Sequence, residues 1–363
     1  MKCKFKIVLT FLAISTAGAL QAESRSLAIY NWTDYIGKTT LADFSIKTGI
    51  KPVYDVFDTN DTMEAKLLTG HTGYDVVFPS SHFVSRQIRA GVYEKLDKSQ
   101  LPNYKNLDGS ILKKVEANDP GNSYAIPYMW GTKGIAYNVE KIKSALGVDH
   151  IDSWNVLFDP DVIKKLSSCG VALLDAPDEV FNSVLKYQGK NPYSTKISDY
   201  EQALILLKKI KPSVTYFHSS KYIADLANGN ICIAMAYNGD AVQARDRAVE
   251  AGNGIHIAYA TPKDGTSLWV DMMAIPSDAK NKSEAYQFIN FILDPGTVAK
   301  ISSEIGYASP NKPARSLVPK EILNDPAIYP TEEVVEASFM NEELPQKTMR
   351  WITRAWSNLK GGQ

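Results

Sequence analysis

The chain has 363 residues, of which 40 are Lys or Arg and 40 are Asp or Glu, so its formal net charge is zero. Because nucleic-acid-binding proteins normally carry a basic excess or a basic stripe, this balance argues against a nucleic-acid partner. A chain of this length is too long for one ordinary hydrophobic core, so we expect two lobes. Aromatic residues make up 10% of the chain, which leaves rings for a binding site beyond those that the cores need.

The N-terminus has the layout of a secretory signal peptide. A head with three lysines precedes an apolar run over residues 7–20, and Ala22 offers a small residue at the cleavage position. A membrane anchor is the alternative, but the run is shorter than the ~20 residues that a span needs. We therefore predict that residues 1–22 are removed on export to the periplasm and that the mature chain does not insert into a membrane.

From Leu27 the chain alternates strand-like apolar runs with helix-like segments, several of which end at glycine. The first unit has the order β-α-β-α-β-α, with its predicted elements at residues 27–32, 39–48, 50–57, 62–69, 74–78 and 82–90. This order predicts a mainly parallel sheet with helices on both faces.

A second α/β unit follows without a flexible linker. Its predicted strands lie at residues 134–137, 171–174, 214–217, 231–237, 255–259 and 268–275. Its predicted helices lie at residues 179–187, 198–210, 221–228, 239–251, 282–293 and 345–359. Since no tether separates the units, we expect strands to cross between the lobes and to bend as a hinge. The predicted lobes are residues 27–130 with 255–305, and residues 131–254 with 306–363.

Carboxylate and aromatic side chains follow the predicted strands, with almost no Lys or Arg among them. The five strand ends are residues 32–35, 79–83, 175–179, 237–240 and 269–271. Ligands of open α/β sheets bind beyond such ends, and carboxylates with aromatic faces suit an ammonium group. An anion receptor would need Arg, Lys or a Gly-rich helix start. The pattern predicts a cationic ligand, although Asp178 and Asp240 also stand where helix N-caps are expected.

Two cysteines remain after the predicted processing, and each stands at the start of a strand-like run. An exported protein meets an oxidising compartment, so we predict a disulfide between Cys169 and Cys232. Two buried free thiols are the alternative.

Enzyme signatures are missing from the sequence. It has no G-x-S-x-G, no H-E-x-x-H, no P-loop and no G-x-G-x-x-G after a strand, and its five histidines lack metal-ligand spacing. Paired acids could still serve a glycoside hydrolase. We predict no catalytic residue, no cofactor and no metal.

The segment from Tyr30 to Ile36, Tyr-Asn-Trp-Thr-Asp-Tyr-Ile, resembles the signature of bacterial periplasmic polyamine-binding proteins. Five further segments are similar to the putrescine receptors of that family: residues 51–58, 174–181, 216–220, 225–229 and 281–290. The likeness runs from about Leu27 to Lys360. It implies a two-lobed periplasmic-binding-protein fold of type II and delivery of a polyamine to an ATP-driven (ABC) permease in the inner membrane.

The resemblance also implies the ligand contacts. The rings that would enclose the methylene chain are Trp32, Tyr237 and Trp269. The residues that would hold one ammonium group are Asp271, Thr33 and Asp34. The acids that would hold the other are Glu179 and Asp240. Further polar contacts would come from Ser80, Tyr35 and Tyr307.

Four positions are expected to influence the choice between putrescine and spermidine: His82, Phe83, Ala176 and Glu342. Ala176 and Asp34 resemble the putrescine type, whereas Thr33 and Trp269 resemble the spermidine type, so the choice stays open. We hypothesise that a protonated His82 repels the ligand; a solvated histidine at a helix start is the alternative. Glu342 could meet a third nitrogen or be an exposed acid.

Three other functions stay open at this point. They are a receptor for another small cationic solute, a polyamine sensor that reports to a kinase, and a secreted hydrolase. A receptor for an amino acid would need an Arg or Lys for the carboxylate, and one for iron would favour clustered tyrosines. We expect a monomer whose partners are the polyamine and the permease.

Overall fold

The computed structural model describes residues 25–361, in which ten strands and sixteen α-helices alternate. The strands are β1 (Ser26–Trp32), β2 (Lys51–Phe57), β3 (Val76–Val77), β4 (Ala125–Asn138), β5 (Val171–Leu173), β6 (Tyr216–Phe217), β7 (Ile233–Tyr237), β8 (Ile257–Ala260), β9 (Ser267–Ala274) and β10 (Phe339–Met340). The predicted signal peptide, residues 1–22, lies outside the described residues.

The helices cover both faces of the strands. They are α1 (Thr40–Thr48), α2 (Asn60–Thr69), α3 (Ser81–Arg89), α4 (Gly109–Val115), α5 (Val139–Leu146), α6 (Asn155–Phe158), α7 (Pro160–Leu166), α8 (Pro177–Tyr187), α9 (Ile197–Ile210), α10 (Tyr222–Ala227), α11 (Asn238–Ala251), α12 (Lys282–Ile292), α13 (Pro295–Ile305), α14 (Lys320–Leu323), α15 (Glu332–Ala337) and α16 (Gln346–Gly361). No helix between residues 25 and 361 is both long enough and apolar enough to cross a membrane.

The strands form one continuous sheet in the order β2-β1-β3-β9-β4-β7-β5-β6, with β10 beside β9 and β8 beside β4. The outer strands at each end are parallel. The strand β9 runs antiparallel to β3 and β4 but parallel to β10, and β4 runs antiparallel to β7 and β8. The first half of β4 pairs with β9 and its second half with β7 and β8. The strand β4 therefore passes from one lobe to the other, which confirms the predicted two-lobed α/β fold with crossing strands.

Side-chain packing separates the lobes. One hydrophobic core contains side chains from Ile135 through Ala260 together with the C-terminal helix α16. Residues that precede β4 belong to two other cores, which also contain side chains of β9 and α12. This packing differs from the predicted bounds at two places. Ile257 packs with the second lobe, and Tyr307 packs with the first. We propose that the lobes are residues 26–132 with 267–340, and residues 133–260 with 341–361.

A disulfide joins Cys169 to Cys232 across 63 residues of sequence. It links the turn before β5 to the residue before β7, two strands that pair in parallel. The bond therefore closes a loop within the second lobe and places no constraint on movement between the lobes.

Candidate ligand-binding cleft

A cleft lies where the two lobes meet, and residues at the carboxyl ends of strands from both lobes line it. The enclosed space is about 540 Å³, including the part open to solvent. Its lining consists of Trp32, Thr33, Tyr35, Phe57, Asp58, Ser80, Glu179, Ser219, Ser220, Tyr237, Asp240, Trp269, Asp271 and Tyr307. The cleft therefore lies where the strand-end rule predicts a ligand site.

Aromatic rings form the walls of the cleft. The ring of Trp269 meets those of Tyr237 and Tyr307 edge-on, at centroid distances of 5.9 and 5.2 Å. The Trp32 ring packs on Phe57 at a centroid distance of 4.5 Å, and its indole N–H donates to the carbonyl of Phe78 at 2.8 Å. These contacts hold the rings in place, so the cleft offers fixed apolar faces to an alkyl chain.

Asp271, on β9, is a buried carboxylate of the first lobe. The Ser80 hydroxyl donates to its Oδ1 at 2.6 Å, and the amide of Asn60 holds that hydroxyl at 3.0 Å. Burial raises the pKa of Asp271 to about 7, although Ser80 and nearby Tyr35 act in the opposite direction. Since its hydrogen-bonded partner is neutral, a ligand cation would stabilise the ionised carboxylate further.

Asp240, in the first turn of α11, is the corresponding carboxylate of the second lobe. Its oxygens accept from the hydroxyls of Tyr222 and Tyr307, the latter at 2.5 Å. Burial raises the pKa of Asp240 to about 6. The interpretation of Asp240 as a helix cap is wrong, because α11 begins after Tyr237 and has no side-chain cap. The carboxylate instead lines the cleft.

Glu179 also lines the cleft, but its carboxylate has a protein cation as partner. The fully buried ammonium group of Lys133 contacts Glu179 Oε2, and Asn341 donates to Oε1 at 2.6 Å. The expectation that the acids of the site lack a counter-cation is therefore wrong for this residue. Lys133 lies inside β4, where sequence analysis examined only strand ends, and it is not among the residues that line the cleft.

His82, Phe83 and Ala176 lie beside the cleft, in a smaller adjoining space that shares Trp32, Glu179 and three other residues with it. The buried His82 places Nε2 at 3.3 Å from Asp178 Oδ2, and this contact joins α3 of the first lobe to α8 of the second. Asp178 is therefore not a simple helix cap, since α8 begins after Ala176 and also has no side-chain cap.

Two residues with an expected ligand contact lie away from the cleft. Asp34 has a positive φ of 55°, and its carboxylate is 3.0 Å from the guanidinium of Arg247 and 42% exposed. Glu342 is exposed and does not line either space. The alternative expectation, that Glu342 is an exposed acid, therefore describes its position. The remaining residues with an expected ligand contact, from Trp32 to Tyr307, do line the cleft.

Four further residues line the cleft without a predicted ligand contact: Phe57, Asp58, Ser219 and Ser220. Phe57 ends β2 with Asp58 next in the chain, and the two serines follow β6 closely. The strand-end rule could have found them, but the ends of β2 and β6 were not among the five strand ends from which the cationic ligand was predicted.

The cleft offers the chemistry of cation binding. Carboxylates and aromatic faces converge on it, and no Lys or Arg is among its lining residues within the described part of the chain. Among residues 25–361 there is also no cluster of three or more His, Cys, Asp or Glu side chains that could hold a metal ion.

The fold and the inter-lobe cleft define a solute receptor of the type II periplasmic-binding class. Residues 39–331 match the family described as bacterial extracellular solute-binding protein, and the chain belongs to this family. It is 50% identical to the putrescine-binding periplasmic protein PotF of Escherichia coli (strain K12), over 97% of this chain and 95% of that protein.

Two further relatives agree with this assignment. The putrescine-binding periplasmic protein SpuD of Pseudomonas aeruginosa is 48% identical, over 98% of each chain. The spermidine/putrescine ABC transporter substrate-binding protein PotD of Streptococcus pneumoniae superposes with a TM-score of 0.74 at 29% identity, over 93% of this chain and 99% of that one.

Proposed function

We propose that this chain is a periplasmic receptor that binds a polyamine, putrescine or spermidine, and delivers it to an ABC importer. One observation carries the proposal. Asp240 and Asp271 face the same cleft from different lobes, both are buried, and their side-chain hydrogen-bond donors are hydroxyls. The names of the relatives, which bind putrescine or spermidine, support the same ligand class.

An alkyl diamine suits this geometry for physical reasons. Its methylene chain packs on the faces of Trp32, Tyr237 and Trp269, while each ammonium group meets a carboxylate from one lobe. A neutral solute would leave two carboxylates buried without a partner, which is costly. An anionic solute would add repulsion to that cost.

The mechanism is binding without bond formation. In the open receptor each lobe presents one of the two carboxylates, so neither lobe alone encloses a dication. Bending of the crossing strand β4 and of the connection over residues 261–266 brings the lobes together around the ligand. The permease then distinguishes the loaded receptor by its closed shape. The homologues are receptors rather than enzymes, and no catalytic step is assigned to this site.

Calorimetry on protein that has been unfolded, stripped of ligand and refolded tests the binding. We expect putrescine, spermidine or both to bind, with cadaverine and agmatine as further candidates. N-acetylputrescine is the matched control, because it keeps the chain and loses one cation. Absence of heat with all four amines, or equal affinity for N-acetylputrescine, would rule out the proposed ligand class.

Uptake of labelled putrescine and spermidine tests the transport role. A strain without this protein should take up less of the bound amine, and the full-length gene should restore uptake. N-terminal sequencing of the exported protein tests cleavage after Ala22, and sedimentation tests the expected monomer. Normal uptake without the protein would favour the polyamine-sensor alternative.

A further inference from the structure

We infer that Lys133 is an internal counter-cation that sets the charge at the Glu179 end of the cleft and so favours diamines over triamines. This inference rests on the proposed polyamine-binding function and concerns its selectivity. Lys133 is a positioning and specificity residue, since it lies behind the cleft lining and reaches the ligand only through the carboxylate that it neutralises.

The ammonium group of Lys133 is completely enclosed by acceptors. Besides the Glu179 carboxylate, it donates to the carbonyl of Glu179 and to the side-chain oxygen of Asn182, both at 2.8 Å. These three acceptors match the three N–H donors of an ammonium group. Burial lowers the pKa of Lys133, while Glu179 acts to raise it. A buried lysine whose three donors all have acceptors is placed to offset the charge of the adjacent carboxylate.

Glu179 stands where a longer ligand would continue. Its side chain lines the main cleft together with Tyr237, and it also lines the adjoining space with His82 and Ala176. A diamine is satisfied by Asp240 and Asp271 in the main cleft. A third nitrogen would extend toward Glu179, whose charge Lys133 already offsets.

The other carboxylates near this end are Asp58, Asp61 and Asp178. Asp178 contacts His82 in the adjoining space, Asp61 lines that space, and Asp58 lines both spaces. The lysine thus offsets one of the four carboxylates that a third ammonium group would meet. At a distance of several Å inside a protein, one unit charge changes an equilibrium by tenfold or more.

The test compares the ratio of dissociation constants for putrescine and spermidine in matched variants. Lys133→Met keeps side-chain length and removes the charge, so we expect spermidine to gain at least about tenfold relative to putrescine. Glu179→Gln alone leaves the charge of Lys133 without its carboxylate partner. We expect spermidine to lose at least about fivefold in affinity relative to putrescine. The double variant Lys133→Met/Glu179→Gln should return within about threefold of the original ratio.

Two controls separate this role from a structural one. Lys133→Arg retains the charge and should keep the ratio close to that of the original chain. Lys263→Met removes an exposed lysine, paired with Asp152, that does not line the cleft, and it should leave the ratio unchanged. A loss of packing alone would weaken both amines together and leave the ratio where it was.

The outcomes are distinct. An unchanged ratio in folded Lys133→Met, or in Glu179→Gln if the first variant does not fold, overturns the role of Lys133. A protein that binds neither amine before any substitution overturns the proposed function instead. Opposite shifts in the two single variants that cancel in the double variant support the inference.

Discussion

At the residue scale, the site depends on which buried carboxylates have a cation beside them. Glu179 has Lys133, whereas Asp240 and Asp271 have hydroxyl donors. Burying an ionised carboxylate without a cation is unfavourable, and the raised pKa values of the two aspartates express that cost. The ligand's ammonium groups remove it, so these two acids should carry most of the binding energy.

Asp240→Asn and Asp271→Asn should each weaken the binding of putrescine or spermidine by about 2 kcal/mol or more, because each removes the partner of a buried ammonium group. Calorimetry measures the change. Asp34→Asn is the matched control, since that carboxylate is partly exposed and paired with Arg247 outside the cleft. Wild-type affinity in either cleft variant would contradict the assignment.

Affinity should depend on pH through the same acids. Below pKa values of about 6 and 7, the empty cleft holds protons on Asp240 and Asp271 that a diamine must displace. Affinity therefore rises with pH up to about 7, by up to about tenfold per unit for each protonated acid. Calorimetry at pH 6 in two buffers of different ionisation enthalpy should show release of about one to two protons per ligand.

The groups that face these acids allow a control for this pH dependence. Asp271 faces Tyr35, Ser80, His82 and Glu179. Asp271→Asn should flatten the profile, whereas His82→Ala should keep it if the acids, rather than repulsion by His82, are responsible. Because the folded form binds these protons more tightly than the unfolded chain, the empty protein should also lose stability as the pH rises from about 4 through 7.

At the element scale, the start of α11 is built around a glycine. A Cβ on Gly239 would lie 2.4 Å from the ring of Tyr307, the residue whose hydroxyl holds Asp240. Glycine at this position lets the helix approach the ring closely. The local backbone thus determines where one of the two carboxylates sits.

Gly239→Ala should weaken diamine binding by about tenfold or more, because the added methyl group displaces Tyr307 and with it Asp240. It should also lower the melting temperature. Gly109→Ala is the matched control: Gly109 begins α4, and a Cβ there would meet nothing within 4 Å. Equal behaviour of the two variants in calorimetry would show that the close approach has no role in binding.

The disulfide acts on one lobe. Replacing Cys169 and Cys232 by serine should lower the free energy of unfolding by about 4 kcal/mol, since the bond closes a loop of 63 residues in the unfolded chain. Denaturant unfolding measures this loss. The affinity for putrescine at low temperature should stay within about threefold, because neither cysteine lines the cleft. An unchanged free energy of unfolding in the double variant would show that the bond adds nothing to stability.

At the scale of the whole molecule, side-chain pairs bridge the lobes around the cleft. His82 meets Asp178, Asp34 meets Arg247, and Arg89 meets Glu343. The last two pairs are partly exposed, and exposed ion pairs contribute little individually, so these two pairs do not hold the lobes closed by themselves. We expect the ligand to favour closure, because a diamine brings an ammonium group to the carboxylates of both lobes at once.

Small-angle scattering should therefore show a smaller radius of gyration after addition of a saturating diamine to the stripped protein. Asp240→Asn/Asp271→Asn should keep the larger value at the same ligand concentration, because it lacks the charges that closure satisfies. Asp34→Asn should close like the original chain. An unchanged radius in the original chain, with binding confirmed by calorimetry, would contradict closure by the ligand.

Much of this protein follows from its sequence. The order of strands and helices follows from apolar periodicity and glycine stops: most predicted elements begin and end within a few residues of the observed ones. The strand-end rule and the excess of carboxylates and rings identified the cleft and the charge of its ligand. Of the strand β4, only residues 134–137 were predicted, because Pro127 and Gly131 lower the strand propensity of the sequence around them. In the structure, pairing with neighbouring strands on both sides outweighs that low propensity.

The sequence by itself determined the fold class, the strand ends that meet and the cationic character of the ligand, because these depend on local periodicity and composition. Only the tertiary structure decided which carboxylates pair with a protein cation and which are left to bind a ligand cation. The carboxylate of Asp34 pairs with Arg247 outside the cleft, and that of Glu179 pairs with Lys133, which is 46 positions away in the sequence. The side-chain donors to Asp240 and Asp271 are hydroxyl groups. Chain order does not encode these pairings, since the direction of a side chain and its distant neighbours are set when the lobes pack.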